Sequence, residues 1–316
     1  MHLPTSDSAY LLHIGFYKAA STWLQKRYFL PDNGYEQILN PFTLQTELLA
    51  TPAEQFDANS ARAAMSAQAT PIRAKGLVPV ISSEALSGDL LRGGQRQSHN
   101  AERLHAITEG NARVLLVVRE QRQLIRSAYK TLVYFGESRS LSALLKPLAA
   151  DESPRFHPGF LYYDVLVETY RSLFPADSIL VLPYEWFREN PVAFLQRVRR
   201  HMGLSEAPEA ALQSLPLKER VNAGETLGII EIQRWINVLL GYSRNDYQGW
   251  FQRNTLQRVL ERIQWHKRNS RRLPWESALE RRFVTRVNSA TEGLFRESNQ
   301  RLSEQCGIDL TRYGYQ

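Results

Sequence analysis

Three short runs along the chain are apolar at nearly every position, and each ends where small, polar or charged residues take over. They are Tyr10-Leu-Leu-His-Ile-Gly15, Gly76-Leu-Val-Pro-Val-Ile81 and Arg113-Val-Leu-Leu-Val-Val118. Apolar residues without alternation suit strands buried on both faces of a parallel sheet. After the third run, Glu120 to Tyr129 has helical composition, with Leu124, Ser127 and Ala128 clustering at three- and four-residue spacing. Strands followed by helical stretches predict an α/β protein: a central parallel sheet flanked by helices in three layers, with a helical C-terminal part. The stretch around Ala50 to Thr70 is Ala-rich and polar, as in a surface helix. From Trp250 to Lys267, Phe251, Leu256, Val259, Leu260 and Ile263 fall on one side and arginines on the other. That pattern suits burial against the domain or, as the less favoured reading, peripheral contact with an anionic membrane surface.

The ends of these runs carry the candidate chemistry. The first leads into Gly15-x-x-Lys18-x-Ala20-Ser21-Thr22-Trp23. Backbone N–H groups at the start of a helix have no intrahelical partner, and they favour an anion. The lysine comes three residues before Ser21 and no second glycine is present, unlike the nucleoside-triphosphate loop, where lysine directly precedes Ser/Thr. An ordinary strand-to-helix turn with Ser21 as N-cap is the plainer alternative. The second run delivers Ser82-Ser83-Glu84 to the same edge of the sheet, where open α/β folds bind ligands. Glu84 reads equally as a general base or as part of a cap through Ser82 or Ser83. The third run ends in Arg119, and a helix would bring Ser127 toward it.

The order Gly-x-x-Lys-x-Ala-Ser-Thr-Trp resembles the phosphosulfate loop of sulfotransferases that use 3′-phosphoadenosine 5′-phosphosulfate (PAPS), whose pattern reads Gly-x-x-Lys-x-Gly-Thr-Thr-Trp. Ala20 departs from it: its methyl fits a helical conformation but narrows the room beside a phosphate. Arg119 followed by Ser127 eight residues on is similar to the pair that binds the 3′-phosphate in that family, with Glu120-Gln121 in place of the usual Asn-Pro or Asp-Pro. Tyr162 to Phe174, Ser178 to Glu185 and Asn190 to Leu204 look like the family's helix–strand–helix block, and Glu297 to Tyr315 resembles bacterial members' endings. The resemblance implies a P-loop-like fold. It implies cofactor contacts from Lys18, Ala19, Ala20, Ser21, Thr22, Trp23, Arg119 and Ser127. It also implies catalysis by Lys18, over the oxygen bridging phosphorus and sulfur, and by Glu84 as base, the carboxylate that carbohydrate sulfotransferases often use. Leu217-Lys218-Glu-Arg220 is similar to a basic loop that closes over the cofactor, so Lys218 and Arg220 are further candidates; an exposed turn is nearly as good a reading.

Composition narrows the classes. In 316 residues, 43% of them hydrophobic, a full core fits in a single domain spanning 1–316, and no linker or repeat stands out. Cys306 is the one cysteine, which excludes internal disulfides and multi-cysteine metal sites. No metal is expected, and His13 reads as a packing residue rather than a ligand. Met1 to Asp7 lacks a signal-peptide pattern and no segment has membrane-span length, so a cytoplasmic protein is expected. With 39 Lys and Arg against 32 Asp and Glu, the net charge is +7, suited to an anionic cofactor. Basic residues crowd Arg253 to Arg272, where a solvated helix face is the usual account. The expected activity is transfer of a sulfuryl group from PAPS, leaving adenosine 3′,5′-bisphosphate (PAP), to a small-molecule acceptor, carbohydrate or glycolipid in type, with no nucleic-acid partner. The alternatives are a P-loop kinase, which needs magnesium and a differently placed lysine, and a non-catalytic protein that binds an anionic polymer through the Arg-rich last third.

Overall fold

The computed structural model describes residues 9–39, 49, 51–88, 96–146, 158–219, 226–239 and 276–316. Its centre is a five-stranded sheet of β1 (Tyr10–Gly15), β2 (Tyr35–Gln37), β3 (Val78–Ser82), β4 (Ala112–Val118) and β5 (Ile179–Pro183). The strands lie in the order β2-β3-β1-β4-β5, every neighbouring pair parallel. This is the α/β architecture with a helix-flanked parallel sheet that the apolar runs predict. The runs are apolar because both faces are covered: every residue of β1 and β3 is buried, and Val114 to Val118 have no exposed surface. Each such side chain contributes about 1.5–3 kcal/mol by leaving water.

The chain returns to this sheet several times and forms two compact units. The first comprises Met1–Gln121, Phe156–Val221 and Gly293–Gln316, and it contains all five strands. The helices Tyr163–Arg171, Pro191–His201 and Arg296–Cys306 pack on β5, and Ala58–Ala74 packs on β3. Ala58–Ala74 is largely exposed and turns only Met65, Ala69 and Ile72 inward. The second unit comprises Arg122–Arg155 and Asn222–Glu292. Its described helices are held by polar contacts as well as packing. Tyr129 donates to Glu231 Oε1 (2.8 Å), Asn237 donates to the carbonyls of Val133 and Glu137 (2.9 Å each), and the Gly228 N–H donates to Glu276 (2.8 Å).

β1 lies between β3 and β4, so the chain leaves it on one side and comes back on the other. The carboxyl ends of these three strands, Gly15, Ser82 and Val118, therefore frame the point where an open parallel sheet presents its crevice. Among the described residues no helix is long and apolar enough to cross a membrane. Arg220 and the aromatic and arginine-rich stretch from Tyr242 to Arg272 lie outside the described residues.

Candidate functional site

The loop after β1 is shaped by backbone conformation. Phe16 extends the ladder by donating to Val117 O (3.0 Å), and the Ala19 N–H donates to Phe16 O (3.1 Å). Lys18 and Ala20 both take left-handed backbone, each with φ 64. A helical segment follows, Ser21–Trp23, which widens into a π-helical turn over Leu24–Tyr28. Two sequence expectations change here. Ala20 is not in right-handed helical conformation (φ 64, ψ 10), because it makes the sharp turn from strand to helix. Nor is Ser21 the N-cap: Ala20 occupies that position with no side-chain cap, and Ser21 is already inside the helix. The Ser21 hydroxyl is buried and has no partner among the described residues. Ala19 is fully buried, whereas the Lys18 side chain is exposed.

Glu84 follows β3 in the short turn Glu84–Ser87. Ser83 caps that turn, its Oγ accepting from the Ala85 N–H (3.2 Å), so the Glu84 carboxyl is not used as the cap. The turn is braced against β1 and by a helix. The Ser83 N–H donates to His13 O (3.3 Å), Gln97 donates to Ser87 O (2.8 Å) and Asn100 donates to Ala85 O (3.0 Å). Half-buried, Glu84 has its carboxyl held above the usual range by desolvation, against the pull of the Lys18 ammonium. Those two groups thus sense each other at the edge of the sheet.

Arg119 leaves the end of β4 and turns onto the loop. Its Nη1 donates to Lys18 O (2.8 Å), its guanidinium lies 5.1 Å from the Tyr184 ring centroid, and its Nε is buried without a partner among the described residues. The backbone behind it is fixed by buried groups. Tyr163 donates to Arg119 O (2.6 Å), the Glu120 N–H donates to Glu185 Oε1 (3.1 Å), and Tyr315 donates to Glu185 Oε2 (3.1 Å). Burial raises the Glu185 carboxyl as well. Ser127 lies on the helix Gln121–Tyr134, in the second unit.

Beside the loop, Trp23 is buried against Phe187 (4.9 Å between centroids) and donates its indole N–H to Pro216 O (3.1 Å). Arg27 grips Glu219 with two parallel bonds (2.7 and 2.9 Å). Residues 216–219 are therefore tied to the loop's own helix, and Lys218 stands exposed between the two anchors. What Trp23 and Thr22 offer an anion directly is backbone N–H at the helix start.

Two polar residues absent from the sequence reading, Gln25 and Asn100, join His13 and Ser82 behind the loop. His13 Nδ1 lies 2.7 Å from Ser82 Oγ, and Gln25 Nε2 donates to Ser82 Oγ and Ser82 O (3.1 and 3.2 Å). His13 is buried as expected of a packing residue, 5.2 Å from the Phe29 ring, and desolvation pushes its pKa down to about 3. Asn100 braces the Glu84 turn from another helix. Each of these contacts joins residues far apart in sequence, so no local spacing announces them.

No protein-family model matches the chain, and no curated protein matches it. Among solved structures it is similar to a sulfotransferase from Alicyclobacillus acidocaldarius, at 17% identity and a TM-score of 0.42 over 74% of this chain and 96% of that one. It is similar to the sulfotransferase domain of the curacin biosynthetic pathway at 13% identity and a TM-score of 0.36, over 89% and 96% of the two chains. The sulfotransferase domain of the Synechococcus olefin synthase matches at 13% identity and a TM-score of 0.31, over 74% and 95%. These values carry no residue role from those proteins to this one.

Proposed function

We propose that this chain is a PAPS-dependent sulfotransferase that acts on an acceptor hydroxyl. The observation that carries the reading is the conjunction of Lys18, on the tight loop after β1, with Glu84, on the turn after β3, a half-buried carboxyl that desolvation makes a better base and that the Lys18 charge reaches. The residues present fit an anionic nucleotide. Ser21 Oγ and Arg119 Nε are buried donors without partners among the described residues, and a phosphate oxygen satisfies such groups.

Bound there, PAPS would supply a sulfuryl group already activated by its bond to phosphate. Ala20 to Trp23 would offer backbone N–H groups, and Ser21 its hydroxyl, to the phosphate beside that group, the Ala19 N–H being taken by Phe16 O. Arg119 would hold the 3′-phosphate, with Lys218 over the nucleotide, and Ser127 and Arg220 stay candidates by the resemblance alone. Glu84 would take the proton of the acceptor hydroxyl as its oxygen bonded to sulfur, the electron pair of the broken sulfur–oxygen bond leaving with the phosphate. Lys18 would hold a compact positive charge against that departing oxygen. The carboxylate base, in place of an imidazole, is what favours a carbohydrate or glycolipid acceptor.

Glu84→Gln tests the chemistry apart from the binding. Removing a general base lowers turnover by about a hundredfold or more, measured as PAP release with a panel of sugar and phenol acceptors. PAP affinity should change by less than about twofold, since the carboxyl does not hold the nucleotide. Undiminished turnover in the variant would assign the base to another residue.

A further inference from the structure

His13 and Gly15 lie on one face of β1, because side chains two apart on a strand point the same way. Directly across the ladder from His13, β3 presents Ser82. The resulting contact, His13 Nδ1 to Ser82 Oγ, is joined by Gln25, which donates to the same hydroxyl oxygen. That donation occupies one lone pair of Ser82 and leaves its hydroxyl hydrogen to be placed. In one tautomer Nδ1 carries the ring hydrogen, and Ser82 would accept twice while its own hydrogen had no acceptor among the described residues. In the other tautomer the Ser82 hydrogen goes to Nδ1, every group is used, and the ring hydrogen sits on Nε2.

Nε2 is fully buried and without a partner among the described residues, and the same is true of Ser21 Oγ. Both crowd the Gly15 Cα: a Cβ there would overlap the Ser21 hydroxyl and come within 3.1 Å of His13 Nε2. A buried donor and a buried hydroxyl left unpaired side by side are costly, and a small movement pairs them. Once Nε2–H donates to Ser21 Oγ, the serine has its remaining hydrogen to give in the opposite direction, into the loop.

We propose that His13 is a positioning residue that fixes the Ser21 hydroxyl as a donor toward an anion held in the loop from Lys18 to Thr22. The inference rests on the anion-loop reading above and assigns to a strand residue, outside the loop, a share in its affinity. His13 stays uncharged in this role: Ser82 and Gln25 set its tautomer, and Ser21 carries the contact.

Two measurements test it. In the intact protein labelled with nitrogen-15 at histidine, the His13 ring should show the Nε2–H tautomer and no charging between about pH 5 and 8; an Nδ1–H tautomer overturns the proposal. Calorimetric titration with PAP then closes a double-mutant cycle. Ser21→Ala should weaken binding about tenfold, as expected for a hydrogen bond to a charged group. His13→Asn, whose short amide can reach Ser82 but cannot replace Nε2, should weaken binding about tenfold in the wild-type background and less than about twofold in Ser21→Ala. His13→Gln, which places an amide nitrogen near the Nε2 position, should retain affinity within about threefold. Equal losses from His13→Asn in both backgrounds would overturn the proposal. If the wild type binds no PAP, the function proposed above falls, and the same cycle with inorganic pyrophosphate decides the role of His13 on its own.

Discussion

At Ala20 the backbone turns left-handed (φ 64, ψ 10), where a side chain costs about 1–2 kcal/mol and glycine almost nothing. Ala20→Gly should therefore raise stability by about 1 kcal/mol in urea unfolding, and a loss of stability would show that the methyl group contributes packing that offsets the strain. His13 gives a pH signature. Unfolded, it takes a proton near its ordinary pKa of 6.5; folded, only near 3, because desolvation disfavours the charged ring. Between those values the unfolded state binds more protons, so stability falls as pH drops. His201, pushed down to about 4 chiefly by burial, acts in the same direction. From pH 7 to 5 the His13 share is about 2 kcal/mol, and His13→Gln should flatten the decline by that amount; parallel declines would contradict it. The sequence reading made His13, on the first strand, a packing residue rather than a ligand. It could not find Ser82 and Gln25, whose contacts depend on the parallel register of β1 and β3 and on the turn after the loop.

The strands β1, β3 and β4 were legible as elements because burial on both faces leaves no alternation to misread. β2 was not. It is a three-residue edge strand, Tyr35–Gln37, with only Tyr35 buried, so two of its residues look like loop. The loop after β1 was recognised by its spacing, but its backbone was not: an alanine gives no warning of positive φ, which a glycine would have given. The segment after Pro216 was noticed for Lys218, while its anchors at Trp23 and Arg27 come from residues some 190 positions earlier. Trp23→Phe keeps the ring packed against Phe187 and removes the donor to Pro216 O. It should cost about 1 kcal/mol and speed amide exchange over residues 217–219. Unchanged exchange there would mean that the Arg27–Glu219 pair holds the segment alone.

At the scale of the whole molecule, the first unit is assembled from three separate stretches, and the last of them supports the site from behind. Tyr315, 1% exposed, donates to Glu185, which in turn accepts the Glu120 N–H beside Arg119. Tyr315→Phe retains the buried ring and leaves that carboxylate short of a donor. A loss of about 1 kcal/mol is expected, with PAP affinity falling because Arg119 is less well held; an unaltered affinity would separate the chain end from the site. The central claim is that the site recognises a nucleotide through a 3′-phosphate and without metal. Calorimetric titration of the wild type with PAP, AMP and ATP with magnesium tests it most directly. Metal-independent PAP binding is expected, at least about tenfold tighter than AMP, as one charge-assisted contact to Arg119 provides. Equal affinity for PAP and AMP, or binding of ATP alone and only with magnesium, would contradict it.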